Sequence, residues 1–186
     1  DAKKYWIALN MVPGVGPVTY RKLLNHFGTP EQVLSASLHD LMVVPGLSDR
    51  IARELVNFGW PNRIDKELDA IAQQQIQLLT WDDEEYPALL KTIFDPPPVL
   101  YMKGQLECFR DILIAIVGSR KATTYGRTVA ENLSRELAIK GIGVVSGLAR
   151  GIDSAAHTGA LKGGGKTVAV LGCGIDVIYP PENDRL

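Results

Sequence analysis

The sequence has very little sulfur or imidazole: 2 cysteines, Cys108 and Cys173, and 3 histidines in 186 residues, with no CxxC spacing. A disulfide framework and a cysteine–histidine zinc site are excluded as organising features, and two reduced thiols are expected. Long hydrophobic runs are missing as well. The central stretch Ile112 to Val117 is closed by Gly118-Ser119-Arg120, well short of the ~18 apolar residues that suggest a membrane-spanning helix. The chain opens Asp-Ala-Lys-Lys-Tyr without a basic-then-apolar leader, so no secretory signal is read and a cytoplasmic address is expected. No sign of charge dominates, the net being -1, and with 46% hydrophobic and 22% charged residues the composition is globular rather than disordered. It accommodates one large or two small domains.

The near-neutral total conceals an uneven distribution. Residues 1–104 carry 10 Lys/Arg against 13 Asp/Glu, residues 105–186 carry 10 against 8, and the stretch from Gly118 to Lys166 holds 8 cations against 3 acids. A local excess of this kind fits a polyanion, although charge for solubility alone accounts for it equally well.

Residues 4–75 read as short helices, with Trp6, Ile7, Leu9 and Met11, then Tyr20, Leu23, Leu24 and Phe27, then Ile51, Leu55, Val56 and Phe58 at helical spacing. Two interruptions resemble each other: Val12-Pro13-Gly14-Val15-Gly16-Pro17 and Val44-Pro45-Gly46-Leu47-Ser48. A Pro-Gly-x-Gly turn between helices resembles the helix-hairpin-helix module, whose glycine amides can approach a DNA phosphate. The second copy lacks the second glycine, and the domain is acidic. A packing module is therefore preferred over DNA contact at the hairpins. Residues 76–110 read as a connector with edge strands at Ile76–Trp81 and Val99–Met102, stiffened by Pro96-Pro97-Pro98.

From residue 111 the pattern becomes α/β. Asp111 to Val117 is the continuous apolar run of a parallel strand buried on both faces. A helix over Thr128–Lys140 with Val129, Leu133 and Leu137 on one face should follow, then a strand at Val144-Val145, a helix over Asp153–Lys162 and a strand over Thr167–Leu171. Such alternation predicts a Rossmann-like parallel βαβαβ sheet over 111–186, preceded by an all-helical, SAM-like helix-hairpin-helix domain over 1–75.

Ligands of open parallel sheets collect at the carboxyl ends of the strands. Here each strand runs into a glycine-containing turn: Gly118-Ser119-Arg120-Lys121, then Ser146-Gly147-Leu148-Ala149-Arg150-Gly151, then Gly172-Cys173-Gly174. Glycine lets backbone amides approach an anion, serine hydroxyls donate to it, and arginine offers a planar fork. A phosphate-type site is expected there. Two other motifs fail. After Gly172-Cys173-Gly174 the sixth position is Val177 rather than Gly or Ala, and Gly165-Lys166-Thr167 leads into a strand where a P-loop needs a helix. No dinucleotide, ATP, metal or other cofactor is expected.

The ordered set Gly118-Ser119-Arg120, Tyr125-Gly126, Ser146 through Asp153, Ala156-His157, Gly164 through Thr167 and Tyr179-Pro180-Pro181-Glu182-Asn183 closely resembles the DNA-processing protein A (DprA, also called Smf) family. The resemblance implies a bacterial protein of natural transformation that binds and protects single-stranded DNA, helps load a RecA-type recombinase and works as a homodimer. It implies phosphate contacts at Gly118, Ser119 and Arg120, with Arg150, Lys166 and the Gly172/Gly174 turn as neighbours. It also implies further sheet beyond Leu186, so that the α/β domain is incomplete here.

No catalytic residue is assigned. Asp153 and His157, four apart on one helix face, could form an acid/base couple. A helix-capping Asp with a packed His is preferred, because no nucleophile or metal ligand accompanies them. Tyr125 could stack on a base or pack in the core. The alternative function is a nucleotide-processing, phosphoribohydrolase-like enzyme on a related fold, but the Pro-Gly-Gly-x-Gly-Thr turn of such enzymes is absent.

Overall fold

The computed structural model describes residues 2–110 and 112–186. Asp111, the first residue of the expected central strand, and Asp1 lie outside the described residues. The chain forms two compact units, Asp1–Lys103 and Gly104–Leu186.

The first unit opens with the helices α1 (Lys3–Asn10), α2 (Pro17–Phe27), α3 (Pro30–Ser35), α4 (Leu38–Met42), α5 (Asp49–Asn57) and α6 (Pro61–Gln73). An antiparallel pair follows, β1 (Gln77–Thr80) with β2 (Val99–Met102), and the short α7 (Ala88–Lys91) lies between its strands. Local chemistry sets several boundaries. Thr29 and Ser37 open α3 and α4 with capping boxes closed by Gln32 and Asp40, each satisfying donors that a helix start leaves open. The core gathers Trp6, Ile7, Leu9, Tyr20, Leu23, Val33 and Leu41, and the buried Tyr20 hydroxyl donates to the Trp6 carbonyl at 3.1 Å. The two glycine hairpins lie close to each other, with their glycines exposed. Lys22 Nζ donates to the Gly46 carbonyl at 3.3 Å, and a Cβ on Gly14 would sit 3.4 Å from Ile51.

The second unit opens with a 3-10 turn (Leu106–Arg110). It continues as β3 (Leu113–Ala115), α8 (Thr124–Ile139), β4 (Gly143–Ser146), α9 (Ile152–Lys162) and β5 (Thr167–Ala169), and ends in a 3-10 turn at Pro181–Asn183. The three strands are parallel in the order β3-β4-β5, with Ile114 beside Val144 and Val145 beside Val168. This is the Rossmann-like βαβαβ arrangement, preceded by the helical tandem.

Three details differ from the sequence expectation. First, α8 begins four residues early, because the Thr123 hydroxyl accepts the Gly126 amide at 3.1 Å and caps the helix there. Second, its inward face is Ala130, Ser134 and Ala138, while Val129 and Leu133 are 45% and 51% exposed. The reason is a close seam with α9: a Cβ on Gly159 would lie 2.1 Å from the Glu131 carbonyl oxygen, and one on Gly163 2.7 Å from both Ala138 Cβ and the Arg135 oxygen. Only small residues fit where helix backbones approach this closely. Third, β3 is not covered on both faces. Both helices pack on the side of Val144, Ala156 and Ala160, while Ile114 of β3 is 39% exposed and Val117, at the end of the expected strand, 72%.

Candidate functional site

Because the strands are parallel and adjacent, their carboxyl ends deliver three turns to one edge of the second unit. A cavity of about 330 Å³ opens there, lined by Arg120 from the first turn, Gly147 and Ala149 from the second, Leu171, Gly172 and Cys173 from the third, and Tyr179.

The first two turns are locked together. Gly151 takes φ +83°, and a Cβ on it would strike the Ser119 and Arg120 carbonyl oxygens at 2.2 and 2.8 Å. The Ile152 amide donates to the Ser119 carbonyl at 3.2 Å. Glycine is required twice over here, for the left-handed backbone and for the close approach. In the first turn the Ser119 hydroxyl accepts the Lys121 amide at 3.1 Å, leaving its own hydrogen available. Arg120 and Lys121 are exposed, and neither has a carboxylate at ion-pair distance among the described residues.

The second turn is tied to α9 and to the C-terminal segment. The Ala149 amide donates to Asp153 Oδ2 at 3.4 Å, and Ser154 Oγ donates to the Ala149 carbonyl at 2.7 Å. Leu148 adopts φ +54°, a left-handed conformation costing a branched residue on the order of 1 kcal/mol. Its carbonyl is held by Asn183 Nδ2 at 2.8 Å. Arg150 turns to the same segment: its Nε and Nη2 donate to the two Glu182 carboxylate oxygens at 3.0 and 3.1 Å, and its guanidinium lies 5.9 Å from the Tyr179 ring centre. The Glu182 carboxyl is held below the ordinary carboxylate range by a backbone hydrogen bond first and the Arg150 contact second.

Between α9 and the start of β5 the buried His157 meets the half-buried Thr167. Thr167 Oγ1 donates to the Val144 carbonyl at 2.8 Å, so its only hydrogen is used and His157 Nδ1, 2.7 Å away, must be the donor to it. Burial lowers the His157 pKa, with Asp153 and the Ser146 backbone opposing the shift. Asp153 therefore braces the second turn, and His157 ties α9 to the first residue of β5.

The sequence-predicted residues thus divide. Arg120, Gly147 and Gly172 line one cavity, with Gly118, Ser119 and Lys121 in the adjoining turn. Gly118 and Gly151 are sites of close packing, since a Cβ on Gly118 would meet Ile152 at 2.7 Å. Three of the expected residues stand apart from that cavity. Ser146 is buried, 2% exposed, because β4 turns its side chain under α9 rather than toward a ligand. Lys166 precedes β5 and so lies at the amino edge of the sheet, opposite the turns. Gly174 is outside the cavity lining, in the turn closed by the Val177 amide on its carbonyl. Tyr179 and Cys173 in the lining, and the pairing of Glu182 with Arg150, were not foreseen. The Tyr179-to-Asn183 string was legible as a motif, but its contacts depend on long-range folding. Among the described residues no group of three or more His, Cys, Asp or Glu could hold a metal ion, and no helix is long and apolar enough to cross a membrane.

Known proteins share this arrangement. The family model of DNA recombination-mediator protein A matches residues 77–186, and that of the SAM-like helix-hairpin-helix tandem matches residues 7–58. Protein Smf of Synechocystis sp. is 39% identical over 98% of this chain and 47% of its own length. The DNA processing protein DprA of Bacillus subtilis is 39% identical over 67% of this chain and 42% of its own. The chain thus spans less than half the length of these relatives. The X-ray structure of DprA from Streptococcus pneumoniae superposes with a TM-score of 0.79 at 31% identity, covering 98% of this chain and 62% of that one. A DprA structure from Helicobacter pylori, described for its single-stranded DNA binding mode, superposes over 57% of this chain and 48% of its own with a TM-score of 0.50 at 35% identity.

Proposed function

The chain belongs to the DNA recombination-mediator protein A family, and we propose that its three-turn cleft holds the sugar–phosphate backbone of single-stranded DNA. The observation that carries this reading is the cavity in which Arg120 meets Gly147 and Gly172 at the carboxyl edge of a parallel sheet. Arg120 and Lys121 supply charge without a carboxylate partner, the Ser119 hydroxyl donates, and the glycines admit the backbone. The single-stranded DNA binding described for the Helicobacter pylori relative supports the same chemistry.

On this reading residues 111–186 are the first part of the DNA-binding domain, 1–75 a helical domain and 76–110 the connector. The whole protein protects incoming strands in natural transformation and passes them to a RecA-type recombinase, as a cytoplasmic homodimer. It binds without turnover, so incubation with nucleoside monophosphates releases no free base.

Fluorescence anisotropy of labelled oligo-dT and a matched duplex, at two salt concentrations, tests the assignment. The single strand binds preferentially and salt-sensitively. Arg120→Ala weakens binding by about 10- to 150-fold, as loss of one charge-assisted contact of about 1.5–3 kcal/mol requires. Equal affinity of the intact chain and Arg120→Ala would overturn it.

A further inference from the structure

The first unit carries a second cavity, of about 460 Å³, whose lining contains neither of the two glycine hairpins. Arg21 and Asn25 reach it from α2, Lys91 and Thr92 from the end of α7, and Trp81 from the turn after β1. Leu24, Ile93 and Pro96 complete an apolar side.

Its two cations are held by uncharged groups. The Arg21 guanidinium lies 5.7 Å from the Trp81 ring centre, and Lys91 Nζ donates to the Trp81 carbonyl at 2.5 Å. Neither cation has a carboxylate at ion-pair distance among the described residues. An indole face and a carbonyl orient these side chains without an ion pair, in a unit that is otherwise net acidic. Two pre-oriented cations, an amide able to donate and accept, and an apolar wall match a phosphate joined to a flat apolar group.

We propose that this cavity is a nucleotide subsite, in which Arg21 and Lys91 take a phosphate of single-stranded DNA and the Leu24, Ile93 and Pro96 side takes sugar and base. The inference deepens the single-stranded DNA reading and rests on it.

All three tryptophans, Trp6, Trp60 and Trp81, lie in the first unit. Intrinsic tryptophan emission therefore reports this cavity separately from labelled-oligonucleotide anisotropy. The full chain is titrated with pentathymidylate to about 1 mM, the weak end of specific binding. A saturable emission change is expected. It persists in Arg120→Ala and weakens at least fivefold in Lys91→Gln, which retains a donor for the Trp81 carbonyl, and in Arg21→Gln. No saturable change in the intact chain, or one equally strong in Lys91→Gln and Arg21→Gln, overturns the subsite. Inorganic phosphate or an acetylated tetra-aspartate peptide matching pentathymidylate also overturns it, by showing a general anion site. Failure of the cleft reading has a different signature: anisotropy indifferent to Arg120→Ala while the emission change survives.

Discussion

Gly159→Ala sets two effects of opposite sign against each other. Glycine inside a helix costs about 1 kcal/mol relative to alanine, so propensity alone predicts a more stable protein. The seam between α8 and α9 predicts the reverse, because the new Cβ would sit 2.1 Å from the Glu131 carbonyl oxygen, 2.8 Å from its carbon and 2.9 Å from its Cα. All three are backbone atoms within α8, so no side chain can swing aside. Relief to the 3.0 Å that real contacts respect requires the helices to separate by roughly 1 Å, loosening the contacts of Ala138 with Gly163 and Gly165 at the same seam. Overpacking of this kind costs typically about 1–3 kcal/mol, and with no flexible group to yield, a net destabilisation of about 2 kcal/mol is expected. For a unit of this size that lowers the melting temperature by roughly 10 °C. Circular dichroism at 222 nm records both units, whereas tryptophan emission records only the first. The predicted result is a lower dichroism transition with an unmoved emission transition. A dichroism transition that stays put or rises would refute the seam as the reason for glycine at this position.

Glu182→Gln frees Arg150 to face a phosphate, so the slope of log affinity against log salt for oligo-dT should steepen by about 0.7, the share of one further phosphate on a single strand; an unchanged slope counts against competition between Glu182 and DNA. Lys166→Ala, at the amino edge of the sheet, should leave oligo-dT affinity within roughly twofold, and a large loss in anisotropy would put DNA on that edge as well. Burial depresses the His157 pKa, so below its ordinary value near 6.5 the unfolded chain binds the extra proton. Stability of the second unit then falls as pH drops below that value. His157→Gln should flatten the dependence measured by urea unfolding at pH 7 and 5, and an equally steep fall would locate the titration elsewhere.

What the sequence reveals here is what depends on short-range pattern. The valines of β4 and β5 mark their strands, the Thr128-to-Lys140 periodicity marks a helix, and the Pro-Gly turns mark the helical tandem. What it hides depends on neighbours. Val129 and Leu133 are large hydrophobes of α8 yet stay exposed, while Ala130, Ser134 and Ala138 face in, because α9 comes too close for anything larger. The paired small-residue spacings, Ala130/Ser134/Ala138 and Ala156/Gly159/Gly163, were the available signal. Similarly, the glycine turns could be read as an anion site. The burial of Ser146, however, followed from strand phase, and the partner of Arg150 stands 32 residues away.

The Ser146-to-Gly151 segment is anchored at both ends by β4 and α9, stitched midway through Ala149 to Asp153 and Ser154, and fastened at Leu148 by Asn183. A wall restrained at so many points has little freedom to wait in a closed form and open later. Encounter with the strand should accordingly be a one-step event: stopped-flow traces with a single relaxation whose rate climbs in proportion to oligonucleotide concentration and reaches no plateau. Cutting the Asn183 fastening, with Asn183→Ala, should introduce the plateau by giving the wall an isomerisation of its own.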